Sequence, residues 1–155
     1  MPDVTAAFSS VEEGARPVAD GLFTWPDHPR LVAASCRDCG TTTFPRQATC
    51  PRCTGDAMRE VTLATRGRLW TWTIQGFEPK PPYTRQGEFR PYGVGYVELD
   101  AEAEGALPVL VESRLSEADA GRLRIGTAMD LEIVPFRHDP DGTTVVTFSF
   151  RPVDD

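Results

Sequence analysis

The sequence predicts a mainly β protein in three parts. They are an N-terminal arm with a short helix (residues 1–29), a compact cysteine-bearing ribbon (30–64) and a C-terminal barrel of five short strands (65–155). Three observations lead there. All four cysteines of the 155-residue chain fall within 18 positions. Beyond position 65, apolar and polar residues alternate over runs of strand length, which is the period of half-buried strands and not of helices. Thirteen glycines and 14 prolines are more than a helical bundle carries and suit short strands joined by many turns.

In the arm, residues 1–20 are polar. Ser10-Val11-Glu12-Glu13 has the S-x-x-E spacing of a capping box, so a short helix is expected from Ser10, ended by Pro17. The alternative is a mobile arm. The following stretch, GLFTWPDHPR (Gly21 to Arg30), gathers Leu22, Phe23 and Trp25 ahead of two prolines. Such aromatics must be buried, either on the chain itself or on a partner.

The ribbon reads CRDCGTTTFPRQATCPRC, a C-x2-C-x10-C-x2-C pattern of Cys36, Cys39, Cys50 and Cys53. Each CxxC turn brings two sulfurs together, and the second turn completes a tetrahedron of thiolates that suits Zn²⁺. Two disulfides are disfavoured where thiols stay reduced, and one redox CxxC leaves the second pair unexplained. The expectation is a zinc ribbon of rubredoxin type. Four cysteines saturate the ion, whereas a catalytic zinc keeps an open position, and neither His28 nor His138 sits at ligand spacing. The zinc is therefore expected to be structural. Arg37, Arg46 and Arg52 stand in or beside the knuckles, where they offset the negative charge of the ion with its thiolates.

Five strands follow. Arg68 to Gln75 (RLWTWTIQ) is expected to place Trp70, Trp72 and Ile74 on one face and Leu69, Thr71 and Thr73 on the other. Tyr92 to Leu99 carries Gly93 and Gly95 where backbone must bend or be approached. Leu107 to Glu112 is the third strand. Ala128 to Phe136 turns Met129, Leu131 and Ile133 inward, and Thr143 to Arg151 sets Val146, Phe148 and Phe150 on one side. Asp139-Pro140-Asp141-Gly142 is a hairpin turn between the last two. One helical turn or a short helix, capped by Ser116, is expected between strands three and four. Five strands with one helical element describe a five-stranded Greek-key barrel of OB-fold type.

Composition limits the function. With 40% hydrophobic and 25% charged residues, the chain folds. It has no apolar run near ~20 residues and no basic start followed by an apolar core, so a cytoplasmic, membrane-free protein is expected. The net charge of −7 argues against nucleic acid as a main partner, because phosphate-gripping proteins carry a basic surplus. A single-stranded nucleic-acid module, with Trp70 and Trp72 as stacking platforms, is still the alternative that this architecture keeps open.

No cysteine is spare for nucleophilic chemistry, and no G-x-S-x-G or phosphate loop occurs. His28 and His138 read as turn residues. No catalytic residue is assigned, and a binding subunit with catalysis in a partner is expected. The segment from Gly76 to Pro91, GFEPKPPYTRQGEFRP, is long for a small barrel. It combines four prolines with Phe77, Tyr83 and Phe89 and with Lys80, Arg85 and Arg90, among them the only lysine of the chain. Cations beside aromatics suit a protein interface or the phosphates and adenine of CoA, and a plain surface loop is the third reading. Phe23, Trp25, Lys80, Tyr83, Arg85, Phe89 and Arg90 are the candidate contact residues.

The run RLVAASCRDCGTTTFPRQATCPRC leading into RGRLWTWTI, with IGTAMDLEIVPF and a terminal TFSFRPV, resembles the zinc-ribbon plus OB-fold family of acyl-CoA-associated proteins, formerly a domain of unknown function. The resemblance covers roughly residues 20 to 153. It implies an accessory subunit paired with a thiolase-superfamily protein of the lipid-transfer type. LFTWPDHPRL and PYTRQGEFRPYGVGYVEL resemble the branch tied to steroid side-chain breakdown. There the partner is a thiolase-fold aldolase that releases a short acyl-CoA by retro-aldol cleavage. The resemblance implies a heteromer, with two copies of each chain as one arrangement, and leaves open whether CoA touches this chain.

Overall fold

The computed structural model describes residues 14–83, 86–101 and 107–154. Nine strands follow one another: β1 (Arg16–Pro17), β2 (Val32–Cys36), β3 (Thr42–Thr43), β4 (Met58–Thr62), β5 (Arg66–Gln75), β6 (Tyr92–Leu99), β7 (Val109–Leu115), β8 (Ala128–His138) and β9 (Thr144–Pro152). Antiparallel pairings join β5 to β6, β6 to β7, β8 to β9 and β5 to β8, and a short parallel contact between Leu115 and Phe150 joins β7 to β9. The five long strands thus close into a barrel, as expected from the sequence. A second sheet in the order β3-β2-β4 forms the ribbon. No helix among the described residues is long and apolar enough to cross a membrane.

The barrel interior is filled by Leu69, Val97, Val111, Met129, Leu131 and Phe150, all buried. Alternation along β6, β7 and β8 follows the pleat. β5 departs from it. A bulge between Leu69 and Thr71 leaves Trp70 without a cross-strand partner. The extra residue reverses the phase of the side chains. Leu69, Trp72 and Ile74 therefore pack on the core, while Trp70 is 53% exposed. The expected sharing of one face by Trp70, Trp72 and Ile74 is corrected accordingly. A second bulge, between Pro135 and Arg137, frees Phe136 in the same way.

Of the two readings after Ser116, the short helix does not form. Residues 116–127 are a chain of turns in which the Glu117 carboxylate accepts from the Asp119 N–H at 2.9 Å and the Asp119 carboxylate from the Gly121 N–H at 2.8 Å. Short acidic side chains that bond nearby backbone compete with helix in this way. Leu123 from this segment is fully buried and closes the barrel core. The capping-box helix expected from Ser10 lies in residues outside the described part. The described residues contain no helix, and Pro17, expected to end a helix, pairs instead with Val146 of β9. The hairpin at Asp139–Gly142 forms as read, with Gly142 at φ 88° and its N–H donating to the Asp139 carbonyl at 2.9 Å.

Arm and ribbon pack on the barrel through a continuous core that includes Phe23, Leu31, Ala33 and Leu63. The Val32 N–H donates to the Leu22 carbonyl and the Leu63 N–H to the Leu31 carbonyl, both at 3.0 Å. Phe44 of the ribbon meets Phe148 of β9 edge-on at 5.5 Å.

Two outcomes test this packing. Gly95 faces inward on β6, where a Cβ would lie 2.6 Å from the Thr71 carbonyl oxygen. Gly95→Ala should therefore lower stability by about 2 kcal/mol, the usual scale of overpacking, measured by urea unfolding; wild-type stability would contradict the close approach. Asp139 carries the second. The Arg16 guanidinium, 2.6 Å away, holds its carboxyl below the usual range against the opposing effect of partial burial, and Arg137 assists. Its folded pKa lies below the unfolded value of about 3.9. The stabilisation is therefore present above about pH 4 and lost as pH falls through the folded pKa. Asp139→Asn should melt below wild type at pH 7, and the gap should narrow as the pH falls below about 4; a gap that stays constant in acid would show that the ion pairs are not its source.

Candidate metal centre and interaction surface

The ribbon builds its metal site from two knuckles on adjacent turns. Cys36 ends β2. Its N–H donates to the Thr41 carbonyl, and its own carbonyl accepts from Gly40, whose φ of 76° suits glycine. In the second knuckle the Cys50 N–H donates to the Gly55 carbonyl at 2.7 Å and the Thr54 N–H to the Cys50 carbonyl at 2.9 Å. All four Sγ atoms lie within 4.8 Å of one another. Cys36 and Cys53 are 3.6 Å apart and Cys39 and Cys50 3.5 Å apart, and none is in a disulfide. Zn–S bonds of ~2.3 Å in a tetrahedron set sulfurs ~3.8 Å apart, so the residues fit the ion.

The four thiols are unequal. The Thr41 hydroxyl, 3.2 Å from Cys39 Sγ, and then the Thr41 backbone pull the Cys39 pKa down to about 6. At Cys53 the Gly55 backbone lowers the pKa, but the neighbouring Cys36 thiol and burial outweigh it and push the value up to about 12. A bound divalent cation supplies the charge that lets all four ionise together. With every position taken by sulfur, the centre is a structural zinc site.

The predicted contact residues separate into two groups. Phe23 is only 4% exposed, bridges Leu31 as a backbone partner and belongs to the core. Trp25 is half-buried, with its ring edge-on to Phe23 at 6.3 Å and its indole N–H donating to the Ala15 carbonyl at 3.0 Å. The pre-ribbon aromatics thus face into the chain's own core. For Phe23 this replaces the expected partner contact, because the short Phe23–Leu31 bridge turns its side chain inward.

The 76–91 segment lies against the outside of the barrel. The Gln86 side chain clamps it there, donating to the His138 carbonyl at 2.9 Å and accepting from the His138 N–H at 3.0 Å. Lys80 and Arg90 are exposed, and Arg85 lies outside the described residues. Tyr83 and Phe89 are half-buried and gather around a residue the sequence reading missed. The Arg114 guanidinium of β7 sits 3.9 Å from the Tyr92 ring centroid and 5.9 Å from those of Tyr83 and Phe136. Phe89 meets Tyr92 edge-on at 6.3 Å. The signal in the sequence was weak: Arg114 is simply an outward position of the alternating run VLVESRL. Beside it opens a groove of about 640 Å³, lined by Phe44 and Pro45 of the ribbon and by Tyr92, Tyr96, Leu110 and Phe136 of the barrel. His28 lies in the Trp25–Arg30 turn at φ 45°, and His138 Nδ1 is 3.3 Å from the Thr144 hydroxyl.

The metal site predicts one zinc ion per chain. Cys39→Ser should weaken zinc binding at least tenfold and lower the melting temperature of the whole chain, because ribbon and barrel share one core. Elemental analysis with thermal melts checks this. Iron in place of zinc, or an unchanged melt after the metal is stripped, would contradict it.

Comparison with known proteins agrees with this architecture. Residues 26–59 match the family model for the rubredoxin-like zinc ribbon domain of ChsH2, and residues 60–134 that for the C-terminal OB-fold domain of ChsH2. The chain is 26% identical over 158 residues to the benzoylsuccinyl-CoA thiolase subunit BbsA of Thauera aromatica, covering 98% of this chain and 91% of that one. It is 25% identical over 126 residues to a DUF35 domain-containing scaffold protein of Methanocaldococcus jannaschii, covering 80% and 82%. Among solved structures, the Ltp2-ChsH2(DUF35) aldolase superposes with a TM-score of 0.56 at 25% identity, over 79% of this chain and 84% of that one. A ribbon and a barrel that match adjoining family models in the same order make this chain a member of the ChsH2-type family, in which a rubredoxin-like zinc ribbon precedes an OB-fold domain.

Proposed function

We propose that this chain is a non-catalytic accessory subunit. It binds and supports a thiolase-superfamily aldolase of the lipid-transfer type that acts on acyl-CoA thioesters. The observation that carries the reading is the likeness, over nearly the whole chain, to a thiolase subunit, together with the likeness to an aldolase assembly. The geometry supports it. The zinc is enclosed by four thiolates, and the barrel interior is packed with Leu69, Met129 and Phe150. The groove and the exposed aromatics lie outside, where a partner reaches them.

The finer reading follows from the sequence motifs around Trp25 and Tyr83. The partner cleaves a β-hydroxyacyl-CoA with a steroid side chain by a retro-aldol step, and the assembly holds two copies of each subunit. The exposed cations Lys80 and Arg90 are this chain's candidates for CoA contact. A single-stranded nucleic-acid role finds its support in exposed Trp70 and Tyr96 on adjacent strands, but the charge of −7 opposes it.

Co-expression with a thiolase-like candidate partner tests the proposal. The two should elute together in size-exclusion chromatography, and the complex should cleave the steroid-CoA β-hydroxy thioester while this chain alone shows no turnover. Turnover by the isolated chain, or tight salt-steep binding of single-stranded DNA in place of a complex, would overturn it.

A further inference from the structure

The outer face of β6 and β7 carries the cation of Arg114. Arg114 stands opposite Val94 and diagonal to Tyr92 and Tyr96. Its carbonyl accepts from the Ser113 hydroxyl at 2.8 Å and the Ser149 hydroxyl at 3.2 Å, which fixes the backbone beneath it. Its guanidinium stacks on Tyr92 and makes one long hydrogen bond, 3.4 Å, to the Tyr83 hydroxyl. Among the described residues no carboxylate pairs with it, whereas Arg16, Arg66 and Arg137 each have one. A guanidinium seated over a ring, with one long hydrogen bond, still has N–H donors to offer a carboxylate.

The surroundings are apolar. Trp70, Tyr96 and Leu110 are 53%, 39% and 40% exposed, and Trp70 meets Tyr96 edge-on at 6.3 Å. Both bulge residues, Trp70 and Phe136, border this face. Bulges re-aim side chains, and here each one turns an aromatic out of the core. Exposed aromatics around a stacked arginine have the composition of an interface centre.

Charge selects the occupant. Glu112, which accepts from the Tyr96 hydroxyl at 3.3 Å, lies two residues from Arg114 on the same face. One cation beside one anion suits a single carboxylate and repels the several phosphates of CoA or of a nucleic acid. We propose that this face seats the thiolase-like subunit and that Arg114 receives an aspartate or glutamate side chain of that subunit, with Trp70, Tyr96 and Leu110 forming the apolar contact around the ion pair. The assignment rests on the accessory-subunit reading and adds to it the surface and the chemistry of the contact.

The test uses the full-length chain and its co-expressed partner. Dissociation constants are measured at two salt concentrations for wild type, Arg114→Gln, Arg114→Lys and Trp70→Ala, alongside zinc content and melting temperature. Arg114→Gln and Trp70→Ala should each weaken binding about 30-fold, equivalent to ~2 kcal/mol. Arg114→Lys should weaken it less, and the salt dependence should flatten in Arg114→Gln. Trp70→Ala alters only a surface side chain, so it keeps the test decisive if an Arg114 variant loosens the 76–91 segment. Wild-type binding by all three variants overturns the assignment while leaving the accessory role intact. So does a dimer of the isolated chain that Trp70→Ala dissolves, or binding of CoA by the isolated chain that Arg114→Gln abolishes. A wild-type chain that fails to bind the partner at all removes the accessory reading and this assignment with it.

Discussion

The barrel does not complete its own core, and most of the molecule follows from that. Phe23, Leu31, Ala33 and Leu63 come from the arm and the ribbon, yet they belong to the same buried cluster as Leu69, Met129 and Phe150. Burying a side chain of that kind contributes on the order of 1.5–3 kcal/mol, a large share of the net stability of a small domain. The ribbon is therefore a wall of the barrel. Its shape depends on the thiolate cluster, because a module of this size has too little core to hold itself together.

That dependence reaches the outer surface. The groove beside Arg114 is composite: Phe44 and Pro45 line it from the ribbon, and Tyr92, Tyr96 and Phe136 from the barrel. Phe44 is held there by its edge contact with Phe148. A zinc site that takes part in no chemistry still sets one side of the surface offered to a partner. The loop aromatics are positioned by similarly indirect means, since the Gln86 amide fixes its segment by pairing with the backbone of His138.

What could be read from the sequence was local. The cysteine quartet declares its metal through spacing alone, and the period-2 runs declare the strands and the inward Met129, Leu131 and Ile133 of β8. The glycines of β6 read correctly as points of close approach. What failed was non-local or competitive. A one-residue bulge at Trp70 is invisible in an alternating string, because either phase looks equally regular. A cap at Ser116 suits one helical turn or a short helix alike, and the Glu117 and Asp119 carboxylates bond nearby backbone and make turns. The density of Phe23 and Trp25 asks for burial on the chain itself or on a partner without choosing between them, because the backbone bridge to Leu31 that turns Phe23 inward has no signature in sequence. Arg114 acquires its meaning from Tyr83, 31 positions away, and from the bulge that brings out Phe136.

The two bulges have a bearing on how such a surface can change through evolution. In a regular strand every residue is committed to one side, so an aromatic gained outside is a core position lost. An inserted residue escapes that exchange: Trp70 sits between Leu69 and Thr71 without displacing either from its register with β6. Substitutions at 70 or 136 can then vary the outer surface almost independently of the interior. Deleting either residue would remove the bulge and leave the flanking pairs in register, whereas an insertion or deletion elsewhere in the strand exchanges inside for outside along the rest of it. At these two positions the outer face of the barrel is open to change, and along the regular parts of the strands it is closed to indels.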